Sequence, residues 1–527
     1  MGEKATSTAD RSPAAPARER SARLALLALW AVAVLYLAWH HVPWRDEVRA
    51  LSIALQGEGM IEMLRGLQGE GHPALWYLLL RGAHMLVPVP QVLPALALLI
   101  AAGAMALLVW RAPFRPLTIA LILFGAFGLH EFTIIARNYG MSMLLLFAIA
   151  ALYPKWRDRG VLIGLLLALL CNTNVPANLI AAALLGFWLV ELVSEEGLRW
   201  TRKHWIWAAN AAVAAAGVLL CFLTVYPPAH DAAAVSVESN FTLSSVLGAI
   251  FNPAISFEDF LAPQLAGQFW VAPFLTVLLF GAVVGLAHRP AALLSALGTL
   301  VGLCLFFTLI YPSYYRHQAL FLVFLITLYW LAANGRGGTW PERWRAERLG
   351  RATRLGGAAF TVLMAMQVAT SIWLLTRQAS DVPYSRARDV AELLEREGLG
   401  DAILMSDDDV LVEPMPYYVG NPLYLPRERR FGAVVAFDRH PRNDLTLDDL
   451  LGDARMLSAQ HRRPVVLLLR IRPDPDDPPS RYRILQTASL TVDPEQVRRF
   501  QAEARLLASF GPAISDESYD VYLVTAG

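Results

Sequence analysis

Long apolar runs separated by short polar segments fill the chain between residues 23 and 376. A helix needs about 20 apolar residues to cross a bilayer, so each such run is a candidate span. The runs predict eleven spans, near 23–40, 92–110, 117–135, 140–154, 160–172, 176–194, 205–225, 268–287, 291–310, 317–333 and 355–376. The two short runs that meet at 172–174 also fit re-entrant segments. The pattern predicts a polytopic α-helical membrane protein.

The segment between the first two spans, residues 41–91, is amphipathic. We interpret it as an outer loop whose helices lie on the membrane surface. These predicted juxtamembrane helices cover 46–56, 60–68 and 73–88. In the last of them we expect Trp76 and Tyr77 to lie in the lipid interface, and Arg81 and His84 to reach the headgroups. Counting that helix as a span would reverse the sides of all later loops.

The pattern changes after residue 376, where charged residues and prolines become frequent. Short β-like runs alternate there with helical patterns, which is typical of an α/β domain. The β-like runs lie at 402–405, 433–436 and 465–469, and the helical patterns at 386–398, 446–461 and 494–508. The chain thus divides into a disordered cytoplasmic tail (1–23), a membrane domain (24–376) and a soluble C-terminal domain (377–527).

Arginine and lysine are distributed unevenly between the two sides of the predicted membrane domain. With the N-terminus inside, the inner segments hold twenty of these residues and the outer segments before the last span hold six. Because cytoplasmic loops carry the positive excess, this fixes the orientation. We expect a multi-pass protein of the bacterial inner membrane, with a cytoplasmic N-terminus and the C-terminal domain on the periplasmic or extracellular side.

Composition narrows the function classes. Hydrophobic residues make up 56% and charged residues 17% of the 527, and the net charge is +1. No basic field for nucleic acid is therefore present, and we expect membrane lipids as surroundings. Cys171, Cys221 and Cys304 all fall in apolar runs, typical of buried thiols. The sequence has neither zinc-ligand spacing nor a Walker-type phosphate loop, which argues against ATP-driven transport by this chain.

Two acidic residues, Asp46 and Glu47, follow the first span within a few residues. Adjacent carboxylates at the level of the headgroups are costly unless they are paired or used. They also fit a structural role, Asp46 as a helix N-cap and Glu47 in the first turn. Further along, His72 precedes Pro73 at a predicted helix start, where an anion binds well. A solvated interfacial histidine is the alternative.

Arginines are scarce on the outer side, yet Arg137 and Arg316 stand at the outer ends of two spans. Guanidinium groups bind phosphate bidentately, so both are candidates for a phosphate or lipid headgroup. Snorkelling to lipid phosphates is the alternative. Nearby aromatic residues are candidate sugar or acceptor contacts, although interfacial tyrosine is also common. They are Tyr139, Tyr314, Tyr315 and His317.

In their order and sidedness these motifs resemble the GT-C superfamily of membrane glycosyltransferases. The likeness is to the protein O-mannosyltransferase and lipid A aminoarabinose transferase branch, including bacterial enzymes that modify lipopolysaccharide cores. It rests on the acidic pair, the His-Pro helix start, Ala-Arg-Asn-Tyr at 136–139 and the outer C-terminal domain, and it covers mainly 24–333. The resemblance implies a sugar donor carried on polyprenyl phosphate and an acceptor that is a lipid-linked glycan, a polysaccharide or a protein.

The resemblance also implies roles for single residues. Asp46 would be the general base with Glu47 in support, and His72, Arg137 and Arg316 would bind the donor phosphate. The chain departs from the family in having His-Pro-Ala in place of a double proline, and it lacks an obvious second motif aspartate close after Tyr139. A role for a divalent metal therefore stays open.

Two other functions fit a membrane protein with these motifs: a transporter or flippase for polyprenyl-linked sugars, and a non-catalytic protein that binds them. The first needs ionisable residues near the middle of the spans, where this sequence has few. In the C-terminal domain, 414–418 and the three aspartates 407–409 are candidate contact loops over the site. The aspartates also fit a solvated acidic turn.

Overall fold

The computed structural model describes residues 14–68, 70–226, 241–260, 268–334, 347–378, 382–437, 442–483 and 488–524. Most of these residues are helical. The N-terminal region contains α1 (Ala14–His40), α2 (Arg45–Ala54), α3 (Met60–Arg65), α4 (Leu75–Leu86), α5 (Val92–Arg111), α6 (Pro116–Leu123), α7 (Tyr139–Trp156), α8 (Leu162–Cys171), α9 (Pro176–Glu196), α10 (Arg202–Val225), α11 (Leu243–Phe251), α12 (Val271–Val284), α13 (Pro290–Leu309), α14 (Tyr315–Ala333) and α15 (Glu347–Gln378).

Seven helices of the described chain are long and apolar enough to cross a membrane. They are Ala17–His40, Val92–Arg111, Pro176–Glu196, Arg202–Val225, Pro290–Leu309, Tyr315–Ala333 and Leu349–Thr376. By length and composition these helices indicate a membrane-embedded protein, in agreement with the predicted class. The other four predicted spans fall on α6, α7, α8 and α12. Of these, α8 and α12 are apolar but only 10 and 14 residues long.

Two predicted segments differ from the structure. The predicted disordered tail is helical from Ala14 onward, because its Ala, Arg and Glu residues favour a helix and Arg23 pairs with Glu19 at 2.8 Å. Its residues 1–13 lie outside the described part.

The predicted span 117–135 breaks into α6 and a π-helical turn, Phe127–Glu131. Gly128 permits this turn, since a Cβ there would lie 2.2 Å from the Ile122 carbonyl oxygen.

Segment 41–91, for which we keep the name outer loop, has a small hydrophobic core of its own, built from α2, α3 and α4. Trp76 and Tyr77 are each 2% exposed and belong to this core, so the expectation that they face lipid is wrong. Arg81 donates to the carbonyl oxygens of Ala54 at 3.2 Å, Gln56 at 2.8 Å and Gly57 at 3.0 Å. It therefore closes the turn after α2 instead of reaching headgroups.

The C-terminal region is an α/β domain. Its elements are α16 (Ala387–Arg396), β1 (Ile403–Ser406), β2 (Tyr424–Leu425), β3 (Arg430–Phe431), β4 (Asp444–Thr446), α17 (Leu447–His461), β5 (Val465–Leu469), β6 (Ser480–Arg483), β7 (Ser489–Val492), α18 (Pro494–Glu503), β8 (Ala504–Phe510) and β9 (Tyr519–Val524). A four-stranded sheet has the order β1-β5-β9-β8, in which only β1 and β5 are parallel. Three strands, β4-β7-β6, form a second sheet.

Apolar side chains cover both faces of the four-stranded sheet. The α16 residues Val390 and Leu393 pack on one face, and Leu450 of α17 and Phe500 of α18 pack on the other. The predicted strands at 402–405 and 465–469 correspond to β1 and β5, whereas 433–436 forms no strand. The predicted helix at 494–508 ends at Glu503, because the next residues pair with β9 as β8.

The domain is attached to the outer loop by polar contacts at the start of α2. Arg45 pairs with Asp516 through Nη1 at 2.5 Å and Nη2 at 3.0 Å, and its backbone N–H donates to Glu517 Oε1 at 2.8 Å. Tyr418 donates its hydroxyl to the Pro43 carbonyl at 2.8 Å. Burial raises the pKa of Glu517 to about 7, against the opposing effect of Arg45. The domain therefore lies directly over the loop that carries Asp46.

The acidic turn 407–409 is not solvated, contrary to the simpler expectation. Each aspartate is at most 2% exposed. Arg470 pairs with Asp408 at 2.6 Å and Arg427 pairs with Asp409 at 3.1 Å, while Asp407 accepts from the Arg470 backbone N–H. Burial raises the pKa of Asp407 to about 6 and that of Asp409 to about 7. The three residues therefore make internal polar contacts of the domain.

Candidate functional site

Asp46 lies in the first turn of α2 and faces arginines from two other parts of the chain. Its Oδ2 is 2.5 Å from Nη1 of Arg137, just before α7, and 3.3 Å from Nη2 of Arg316 in the first turn of α14. The side chains of Asp46, Arg137 and Arg316 are 25%, 8% and 16% exposed. The structure thus brings three predicted site residues into direct contact.

His72 joins this group through Arg137. Nη2 of Arg137 lies 2.7 Å from His72 Nε2. A guanidinium can only donate, so Nε2 must be the acceptor and the imidazole must be neutral. Burial lowers the pKa of His72 to about 3, and Arg137 and Arg316 lower it further in the same direction. His72 therefore orients Arg137 rather than adding a positive charge to the site.

The arginines determine the charge state of Asp46. Burial opposes its ionisation, but Arg137, then Arg316 and Arg45, outweigh burial and lower its pKa to about 2. The carboxylate is consequently ionised at neutral pH. In this arrangement it is also a weak base, because a group with so low a pKa has little tendency to take up a proton.

A cavity of about 380 Å³ opens beside Asp46 between the outer loop and the C-terminal domain. It is rich in charge, with four arginines and three carboxylates in its wall. The lining residues are Arg45, Asp46, Arg49, Ala50, Glu70, His72, Trp76, Tyr77, Arg137, Asn138, Tyr311, Tyr314, Arg316, Val410, Glu413 and Phe437. We call it the polar cavity. The C-terminal domain supplies the last part of its wall through Val410, Glu413 and Phe437.

Arg49 ties the two sides of the polar cavity together. It pairs with Glu70 of the outer loop and Glu413 of the domain, and it donates to the Val435 carbonyl at 2.9 Å. Its guanidinium also lies 4.5 Å from the centre of the Phe437 ring, a cation–π distance. Burial raises the pKa of Glu413 to about 7, with Arg49 opposing. None of these four partners was predicted as a site residue, because no local pattern marks them.

Glu47 points away from the polar cavity. Its carboxylate is fully buried and accepts from the Trp44 N–H at 3.2 Å and the Ala136 N–H at 2.6 Å, and it lies 2.8 Å from His41 Nε2. These contacts fix the start of α2 against the segment that carries Arg137. Glu47 therefore positions Asp46 and Arg137, and the structure does not bring it to where a substrate would bind.

The predicted aromatic contacts divide into lining and buried residues. Tyr314 is 56% exposed and lines the polar cavity. Tyr139 is 1% exposed and packs on His317, whose Nδ1 accepts from the Tyr314 N–H at 3.0 Å. Tyr315 donates its hydroxyl to Gln367 at 2.5 Å. Only Tyr314 of these four predicted residues is therefore available to a ligand in the polar cavity.

Three residues that line the polar cavity have a buried polar atom without a hydrogen-bond partner among the described residues. These atoms are Nε of Arg316, Nε1 of Trp76 and Oδ1 of Asn138. Asn138 is 2% exposed, and its amide nitrogen donates to the Thr173 carbonyl at 2.5 Å. Unpaired buried polar atoms are unfavourable unless a ligand or water satisfies them. Two donors and one acceptor are thus left at the place where a ligand would bind.

A second and larger cavity, of about 790 Å³, lies on the other side of Arg316. We call it the amphiphilic cavity, because both apolar residues of α12 and α15 and three carboxylates line it. Its lining includes Glu131, Ile255, Glu258, Asp259, Phe269, Val271, Leu275, Tyr314, Tyr315, Arg316, Trp373, Leu374 and Tyr384. Tyr314 and Arg316 line both cavities.

Among the described residues, no group of three or more His, Cys, Asp or Glu side chains has the geometry to hold a metal ion. No protein family, curated protein or solved structure matches the chain.

Proposed function

We propose that the protein is an integral-membrane glycosyltransferase that moves a sugar from a polyprenyl-phosphate donor to an acceptor outside the cytoplasm. The observation that carries the proposal is the contact of one carboxylate, Asp46, with two largely buried arginines, Arg137 and Arg316. A transferase of this kind needs a base for the acceptor hydroxyl and cations for the departing phosphate. Both are present within one cavity.

The reaction assigns a role to each group. The acceptor oxygen forms a bond to the anomeric carbon while the bond from that carbon to the phosphate oxygen breaks. The electron pair of the broken bond leaves with the polyprenyl phosphate, whose charge Arg137 and Arg316 stabilise. Asp46 takes the proton from the acceptor hydroxyl. The unpaired Oδ1 of Asn138 accepts a hydrogen bond from a sugar hydroxyl.

The two cavities suit two substrates. The polar cavity holds the arginines, so we assign the donor's sugar phosphate to it. The amphiphilic cavity has three carboxylates that would repel a phosphate, together with an apolar wall from membrane helices. We assign it to the acceptor, of which a lipid-linked glycan fits the apolar wall best. Arg316 and Tyr314 separate the cavities, so the reacting atoms would meet beside Asp46.

The ionisable residues of the site all lie at the end of the helices that faces the C-terminal domain. A transporter or flippase needs such residues along a path through the bilayer. The position of the site therefore favours chemistry at one membrane face over passage across it. A non-catalytic protein that binds the donor would have the same site geometry as the enzyme. The two differ only in whether the sugar is transferred.

Turnover is therefore the test. The full chain, reconstituted in lipid nanodiscs, would be given polyprenyl-phosphate hexoses and pentoses with radiolabelled sugars, together with a bacterial envelope lipid extract. We expect transfer of one labelled sugar to a lipid or glycan fraction, reduced about 100-fold or more in Asp46→Asn. Glu58→Gln, a matched change at an exposed outer-loop residue, should retain full transfer. Donor binding without transfer by the wild-type protein would support the non-catalytic alternative instead.

A further inference from the structure

A single oxygen of Asp46 holds both arginines of the polar cavity. Oδ2 is the atom within 2.5 Å of Arg137 and 3.3 Å of Arg316, while Oδ1 lies 3.9 Å from Arg45 Nε. The groups with the strongest electrostatic effect on Asp46 are Arg45 on its own helix, His72 before α4, Arg137 before α7 and Arg316 on α14. Three of the four are permanently cationic, and His72 is neutral. Tyr77, Tyr311, His317 and Tyr384 also interact with Asp46.

These contacts engage the same arginines that a phosphate would use. The side chains of Arg137 and Arg316 are mostly buried, so they have few directions left in which to meet a second anion. A phosphate that enters the polar cavity therefore competes with Asp46 for their N–H groups. It also brings oxygen acceptors for the unpaired Nε of Arg316.

We propose that Asp46 is an internal stand-in for the donor's phosphate, occupying the Arg137–Arg316 pair until a phosphate takes that pair and releases the carboxylate to act as the base. The inference rests on the proposed function and adds a binding order to it. Once released, Asp46 keeps Arg45 as a nearby partner, so it is not left as an isolated buried charge. Its basicity then increases only when the donor is in place.

Anion binding tests the competition directly. Inorganic phosphate and decyl phosphate would be titrated calorimetrically into the detergent-solubilised full chain. Removing the internal competitor in Asp46→Asn or Asp46→Ala should tighten the binding of both probes by about tenfold. Glu70→Gln is the matched control, because it removes a negative charge from the same cavity at a residue that pairs with Arg49. It should change the affinity by less than about threefold, because Arg49 keeps Glu413 as its ion-pair partner.

Several results would overturn the inference. The first is unchanged or weaker phosphate binding by the Asp46 variants. The second is an equal gain in phosphate affinity in Glu70→Gln, which indicates a general charge effect. The third is no measurable phosphate binding by any form of the protein. The transfer assay keeps the two proposals apart. If Asp46→Asn loses transfer but keeps its phosphate affinity, the stand-in role is rejected and the proposed enzyme activity is retained. If Asp46→Asn binds phosphate more tightly but keeps full transfer, the competition is retained and Asp46 is rejected as the base.

A labelling experiment on the wild-type chain does not depend on the folding of a variant. Carbodiimide with an amine nucleophile modifies carboxyl groups through their protonated form, so at about pH 5 a carboxyl reacts faster as its pKa rises. Decyl phosphate should increase the modification of Asp46 several-fold, measured by peptide mass spectrometry, and leave the exposed Asp401 unchanged. Unchanged or reduced modification of Asp46 would contradict its release.

Discussion

Asp46 Oδ2 and Arg316 Nη2 lie 3.3 Å apart although the two residues are 270 positions apart in the chain. The contact joins the start of α2 to the start of α14, so distant parts of the membrane region meet in one charged cluster. Removing one member of a buried ion pair leaves the other charge without its partner, which is more costly than losing an exposed pair. Substitutions at and near this contact should therefore differ in their effects on phosphate binding, stability and sugar transfer.

Arg137→Ala should weaken the binding of a prenyl phosphate by about 10-fold to 100-fold, because charge-assisted hydrogen bonds to the phosphate are lost. Calorimetry or fluorescence anisotropy on the detergent-solubilised protein measures this. Arg65→Ala is the control, since Arg65 is an exposed arginine of the same loop. Equal affinities for Arg137→Ala and Arg65→Ala would remove Arg137 from the site.

His72 should not contribute a titration to anion binding in the neutral range. Its pKa is lowered to about 3, so it is uncharged above that pH and only accepts from Arg137. The affinity for an alkyl phosphodiester, which does not itself titrate there, should therefore follow the same curve between about pH 5 and pH 8 in wild type and in His72→Gln. A step near pH 6.5 that is present only in the wild type would show a histidine that becomes protonated.

Glu413 and Glu517 should make the attachment of the C-terminal domain sensitive to pH. Burial raises the pKa of each from 4.5 to about 7, so the folded state holds their protons more tightly than the unfolded state does. Their contribution to stability is then complete below pH 4.5 and is lost as the pH rises to about 7. The thermal midpoint of the domain should fall across this window, and less steeply in Glu413→Gln/Glu517→Gln. Glu495→Gln, an exposed change in the same domain, should leave the slope unaltered.

Glu47→Ala should destabilise the protein by about 3 kcal/mol, because it leaves two backbone N–H groups and His41 without their buried acceptor. Donor affinity should fall with it, since Asp46 and Arg137 lose their relative position. Thermal unfolding with a phosphate-binding measurement on the folded fraction checks both effects. If stability is lost while phosphate affinity and transfer stay at wild-type values, Glu47 is important for folding alone.

Ile255→Trp should fill part of the amphiphilic cavity, where Ile255 is 57% exposed. We expect the transfer rate at limiting acceptor to drop about tenfold or more, while phosphate binding in the polar cavity stays at the wild-type level. Ile255→Val, which makes the side chain smaller, is the control. A loss of phosphate affinity in Ile255→Trp would place the donor, not the acceptor, in the larger cavity.

The charged residues at the centre of the site could be predicted from the sequence, because such residues are rare on the predicted outer side. Few arginines stand on the predicted outer side, and placing Arg137 and Arg316 there with Asp46 and His72 suffices to suggest a cluster. The structure adds what these residues do to one another. Sequence gives no sign that His72 is an acceptor for Arg137, since that depends on a 2.7 Å contact across 65 positions.

Other features depend on partners that a linear pattern does not reveal. The turn 407–409 resembles a solvated acidic loop until Arg427 and Arg470 are seen against it. Similarly, Arg49 and Glu413 are 364 positions apart, and their pairing requires the docked domain. The break after α6 is equally hidden, because an apolar run has the same composition whether its helix continues or turns at Gly128.

Tyr314 and Arg316 line both cavities, so the two substrates would be recognised through a common wall. Specificity for one of them then cannot evolve or be engineered at these two positions without altering the other. Asn138 lines only the polar cavity and Ile255 lines only the amphiphilic cavity. In related sequences, a change of sugar should therefore coincide with substitutions at positions such as Asn138, and a change of acceptor with substitutions at positions such as Ile255.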